Sequence, residues 1–102
     1  TLSEGTEFTY GENAQENSQL TRSAHQNHYW LHVVNHPSAH GILRTQKPNK
    51  SEVKEAAAII KQHSKAKDLR RVAVDYVEVR HIKIVNDQGS AQMTKTSKKV
   101  YV

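Results

Sequence analysis

Cysteine is absent from this chain, which removes disulfides, thiolate-held zinc and cysteine nucleophiles from consideration. Aromatic residues are scarce, with one Trp, one Phe and four Tyr, so any core must rest mainly on Val, Ile, Leu and Ala. No apolar run approaches the roughly 18 residues of a membrane helix, and no basic-then-apolar segment opens the chain. These gaps fit a cytoplasmic protein with no membrane partner. Neither glycine-rich phosphate fingerprint, G-x-G-x-x-G or G-x-x-x-x-G-K-[ST], occurs, which argues against a nucleotide-hydrolysing domain.

Positive charge is scarce in the first part of the chain. Residues 1 to 43 hold Glu4, Glu7, Glu12 and Glu16 against Arg22 alone, a balance of −3, whereas residues 44 to 102 hold fourteen Lys and Arg against six acids, a balance of +8. Basicity placed this way is the footprint of a phosphate-bearing or otherwise anionic partner, although a solvated surface with no partner would carry it too. At 102 residues the chain is long enough to bury roughly two-thirds of its unfolded surface. A single domain over residues 1–102 is expected, with 1–5 flexible, and the opening Thr reads as the start of a processed or excised piece.

What the chain does contain begins with Glu7-Phe8-Thr9-Tyr10, whose alternation suits a short strand with one buried face. Gly11 and the Asn-rich stretch after it predict a structured turn leading into a short helix near residues 15 to 23. The stretch from His28 to Arg44 holds the only Trp, four of the seven His and one of the two Pro. Aromatic and β-branched residues crowd both sides of Asn35-His36-Pro37-Ser38, predicting a hairpin around a tight reversal. A stronger helix signal starts near Asn49 or Ser51, with Glu52 in capping-box spacing from Asn49, and is expected to run to about Lys67. On it Val53, Ala56, Ala57, Ile60 and Ser64 share an arc of about 100°, beside which Lys50, Lys54, Lys61 and Lys65 form a basic stripe.

Residues 71 to 85 alternate as strands, but the apolar phase slips between Tyr76 and Ile82, which calls for a bulge or a break. Asn86 to Gly89 reads as a turn, and Lys98 to Val102 as a closing strand. The element order predicts an α+β fold: a small antiparallel or mixed β-sheet with one main helix packed on it and a short N-terminal helix.

His28, His32, His36 and His40 recur every fourth residue, which on a helix would align four imidazoles as a metal site. Pro37 and the strand-like Tyr-Trp-Leu-His-Val-Val argue against that helix. No metal or other cofactor is expected, and no His-Glu-x-x-His pattern or nucleophile–base pair points to an enzyme. On a strand His28, Trp30 and His32 share one face, to which the turn could return His36 or His40. Trp, Tyr and His can stack on unpaired bases while Lys and Arg neutralise phosphates. Trp30 as an ordinary core indole, and His32 and His40 as structural histidines, suit the same pattern.

Taken in order, several segments are similar to the NFACT-R domain of ribosome-associated quality-control factors. They are Gly11-x-Asn13-x-x-x-Asn17-x-x-Leu20-Thr21, Trp30-Leu31-His32-Val33, Ser38-Ala39-His40, Glu55-Ala56-Ala57 with His63-Ser64-Lys65-Ala66-Lys67, and Val74-Asp75-Tyr76 with Val79-Arg80-His81-Ile82-Lys83. The resemblance implies a non-enzymatic RNA-binding module acting on ribosomal or transfer RNA at the ribosome. In that role Lys50, Lys54, Lys61 and Lys65, with Arg44, Arg70 and Arg71, would contact phosphates. Trp30, His32 and His40 would frame the hairpin or stack on a base. A module binding DNA or an acidic protein through the same basic surface is the alternative.

Overall fold

A computed structural model describes residues 1–85 and 90–102, so the turn expected at 86–89 lies outside the described residues. In chain order the elements are β1 (Phe8–Tyr10), α1 (Ala14–Ser23), β2 (Tyr29–Val33), β3 (Gly41–Leu43), α2 (Lys50–Gln62), β4 (Ala73–Glu78), β5 (Ile82–Ile84), β6 (Ala91–Met93) and β7 (Lys98–Tyr101). A 3₁₀ turn at Val79–His81 makes the break that the slipped phase called for. Five strands form an antiparallel sheet in the order β1-β3-β2-β4-β7, and β5 pairs with β6 as a separate ribbon. The fold is α+β.

Strand alternation sorts the side chains between two cores, one on each face of the sheet. Leu31, Val33, Leu43 and Val74 pack with Val53, Ala56, Ala57 and Ile60 of α2. Trp30, Ile42 and Val77 pack on the other face with Ala24, Val79 and the flanks of Leu20 and Ile82. Two alanines on the inner face of α2 let it lie close to the sheet. Gly41 answers from below, since a Cβ there would fall 2.4 Å from Phe8 Cζ and 2.7 Å from Ile60 Cδ1.

The start of α2 follows the predicted box. The Asn49 side chain accepts the Glu52 N–H at 2.8 Å, and the Glu52 carboxylate accepts the Asn49 N–H at 3.1 Å. The Thr6 hydroxyl also donates to Glu52, and with the Asn49 N–H it holds that carboxyl below the usual carboxylate range.

Its end does not follow the prediction. The helix stops at Gln62 rather than Lys67, because the loop after β2 captures the chain: the Ala39 N–H donates to the His63 carbonyl at 3.0 Å and the Lys65 N–H to the Pro37 carbonyl at 2.8 Å. Ser64 leaves the helical arc and bridges to Ser38. Nor is the reversal between β2 and β3 tight. The two strands part after the Leu31–Gly41 pair, and residues 34–40 form a wider loop with Asn35 at φ 61°. Residues 1–5 lie against the domain rather than free of it, with Leu2 buried and the Ser3 hydroxyl donating to Glu55 at 2.6 Å.

Candidate nucleic-acid interface

His40 is held from three directions by the segment around α1. Its backbone N–H donates to Asn17 Oδ1 at 3.1 Å, and its carbonyl accepts the Gly11 N–H at 3.1 Å. Its Nδ1 lies 3.4 Å from Thr21 Oγ1. Because the Thr21 hydroxyl spends its proton on the Asn17 carbonyl at 2.8 Å, the imidazole must donate from Nδ1, leaving Nε2 as its acceptor. Asn13 caps α1 by accepting the Glu16 N–H at 2.9 Å. A side chain at Gly11 would collide with Asn17, whose Oδ1 would stand 2.3 Å from the new Cβ.

His32 is arranged alike. Its Nδ1 donates to the Val33 carbonyl at 2.6 Å, so Nε2 is again the free acceptor. The His32 ring stacks on Trp30 with centroids 5.5 Å apart and planes 6° apart, and His40 meets both rings edge-on at 5.3 Å. Burial pushes the His40 pKa down to about 4, with His32 adding repulsion. His32 is lowered too, chiefly by burial, against the pull of its Val33 hydrogen bond and of Asp75. Both rings are therefore neutral acceptors at neutral pH.

The four-residue histidine spacing does not become a cluster. His32 and His40 meet at Trp30, while His28 sits against His25 with centroids 4.9 Å apart. Among the described residues no group of three or more His, Asp or Glu can hold a metal ion. Trp30 is only 5% exposed, and among the described residues its buried indole N–H has no partner, so the ring lies within the core beneath the hairpin.

The basic residues fall into three places. Lys50, Lys54 and Lys61 keep their shared flank on α2. The opposite flank is taken by Glu52 and Glu55, bound to Thr6 and Ser3 ahead of β1, so the lysines look toward the far edge of the sheet, where β7 touches α2. Lys98 belongs with them. It pairs with Tyr76, which packs in the α2-side core, so its side chain starts on the same face. Lys99 points to the other face and pairs with Asp75 at 3.0 Å.

Lys65 lies beyond the helix and is exposed, as are Arg70 and Arg71, the latter with its guanidinium 4.9 Å over the Tyr101 ring on β7. Arg44 is at the opposite edge, where its Nε donates to Thr9 Oγ1 at 3.2 Å and approaches Glu7 at 3.9 Å. It is not part of the lysine flank.

Between the start of α1, the loop before β3 and residues 62–68 runs a cleft of about 910 Å³. A smaller hollow of about 380 Å³ adjoins Trp30, Asn35, Asp75 and Met93. His32 and His40 line both. Lys98 and His63 are not among the site residues expected from the sequence, and the neutral state of His40 escapes it. Lys98 could have been found by its two-residue phase with Val100, but the others depend on neighbours remote in the chain.

The family model described as NFACT protein RNA binding domain matches residues 2–97. The chain belongs to the NFACT-R family. This NFACT-R chain is 39% identical over 83 residues to the Rqc2 homolog RqcH of Bacillus subtilis, an alignment covering 80% of this chain and 15% of that protein. It superposes on the C-terminal part of the fibronectin/fibrinogen-binding protein from Streptococcus suis with a TM-score of 0.88 and 26% identity, over 96% of this chain and 41% of that one. An NFACT-R chain of this length thus spans a minor part of each of these relatives. Among the described residues no helix is long and apolar enough to cross a membrane.

Proposed function

We propose that this domain is a non-enzymatic RNA-binding module that grips the backbone of ribosomal or transfer RNA in ribosome-associated protein quality control. The observation that carries the reading is the Lys50–Lys54–Lys61 flank of α2 with Lys98 beside it on the same side of the sheet. Among the described residues none of these four cations is joined to an acid. Unneutralised cations on one rigid face suit a regular array of phosphates, and the acidic residues of the N-terminal half orient the domain by repulsion. Family membership and the likeness to RqcH support RNA and the ribosome as the setting.

The test is fluorescence anisotropy with a labelled ribosomal RNA helix and a transfer RNA at fixed ionic strength. The Lys54→Glu, Lys61→Glu double variant is expected to lose binding to both while keeping its thermal transition. Retained affinity would remove the flank from the reading. Competition by duplex DNA or an acidic polypeptide at equal charge should be weaker than by RNA, and equal competition would favour a general anion-binding module.

A further inference from the structure

We infer that the 910 Å³ cleft between α1, the loop before β3 and residues 62–68 binds one unpaired RNA nucleotide, with its base on His63 and its phosphate on Lys65 and Lys67. The inference rests on the RNA reading above and adds a second contact to it, at the C-terminal end of α2.

Four features place the nucleotide. His63 is exposed, lines the cleft and is stacked on Tyr10 with centroids 4.1 Å apart and planes 26° apart. One ring face is thereby fixed from behind, leaving a pre-set aromatic platform whose other face can take a base. Lys65 and Lys67 follow on the same wall, both exposed, and among the described residues neither is paired with an acid. Glu12 stands on the facing wall and Asp68 at the far end of the lysine wall; the start of α1 is already capped by Asn13 and Glu16, so a phosphate is turned away from α1 and toward Lys65 and Lys67. The floor is formed by His32 and His40, whose Nδ1 atoms are committed to Val33 and Thr21. Their remaining polar ring atom, Nε2, is an acceptor, which matches the exocyclic amino group of adenine or cytosine, whereas uracil offers a single N3–H set between two carbonyls.

The cleft volume also lies within the about 300–1,000 Å³ typical of small-ligand sites. A regular duplex could not enter it, because paired bases expose no face for stacking. The lysine flank and the cleft therefore select different parts of one RNA: a helical backbone and an adjoining unpaired residue.

The test compares labelled oligoadenylate, oligouridylate and a blunt RNA duplex by anisotropy, using the whole chain and the exposed-site variants His63→Ala, His63→Phe and Lys65→Ala with Lys67→Ala. Oligoadenylate is expected to bind more tightly than oligouridylate. His63→Ala and the lysine pair should each weaken oligoadenylate about tenfold, while duplex binding stays unchanged and His63→Phe retains affinity. Unchanged oligoadenylate binding in these variants overturns the cleft, and so does an equal loss for oligoadenylate and duplex. In either case the RNA reading stands on the duplex affinity of the unaltered chain. If the unaltered chain binds none of the three, the RNA reading falls and the cleft with it.

Discussion

Asn17 on α1 accepts the backbone N–H of His40 at 3.1 Å, so one side-chain oxygen positions the residue that leads into β3. Asn17 is itself buried, and water cannot replace it. Asn17→Ala leaves that N–H unpaired, with an expected cost of about 1–3 kcal/mol. Thermal unfolding followed by circular dichroism should show the midpoint falling by roughly 5–15 °C. A midpoint equal to that of the unaltered chain would mean that the bond contributes nothing net.

Gly11 tests the same junction from its other side. Gly11→Ala would bring a Cβ to 2.3 Å from Asn17 Oδ1 and 2.7 Å from the Asn17 backbone nitrogen. Backbone atoms cannot swing away as a side-chain end can, so a loss of about 1–3 kcal/mol is expected in urea denaturation.

Acid should destabilise the domain through His40. In the unfolded chain this imidazole protonates near its ordinary pKa of 6.5, whereas in the folded domain it stays neutral down to about 4. The unfolded state then binds more protons between those values. Stability is complete above pH 6.5 and is lost as pH falls toward 4, at up to about 1.4 kcal/mol per pH unit. The depressed Glu52 carboxyl loses its contribution only as pH falls below about 4.5, so the upper part of the window reports on histidine. Urea midpoints measured at pH 7.5, 6.5 and 5.0 should fall in the unaltered chain and fall less steeply in His40→Gln, where the depressed His32 keeps part of the slope; parallel curves would contradict the assignment.

Salt should report on the lysine flank. If Lys54 and Lys61 each neutralise one phosphate, replacing both with Ala should reduce the slope of log K against log salt by about 1.8 on duplex RNA. Arg44→Ala should leave that slope unchanged, because Arg44 lies at the other edge of the sheet beside Glu7 and Thr9.

Trp30 separates fold from binding. As a buried indole in the second core, it should cost about 3–5 kcal/mol when replaced by Ala. Trp30→Phe should keep RNA affinity within about twofold, and a larger loss in a folded variant would return the indole to the interface.

Sequence by itself determined the family, the element order and the separation of charge. These rest on local physics: the Asn49–Glu52 box and the apolar arc of α2 arise within one helix, and the break after Tyr76 follows from a phase that no single strand can carry. Tertiary structure alone decided where α2 ends, since Ser64 to Lys67 carry no stop signal and the chain is drawn out of the helix by the Ala39 N–H donating to the His63 carbonyl and the Lys65 N–H donating to the Pro37 carbonyl. It alone decided that Arg44 leaves the basic group, because β3 lies between β1 and β2. It also decided the state of His40, whose neutrality comes from burial among Trp30, His32 and Thr21. Desolvation is a property of surroundings, and those surroundings are assembled from three elements distant in the chain.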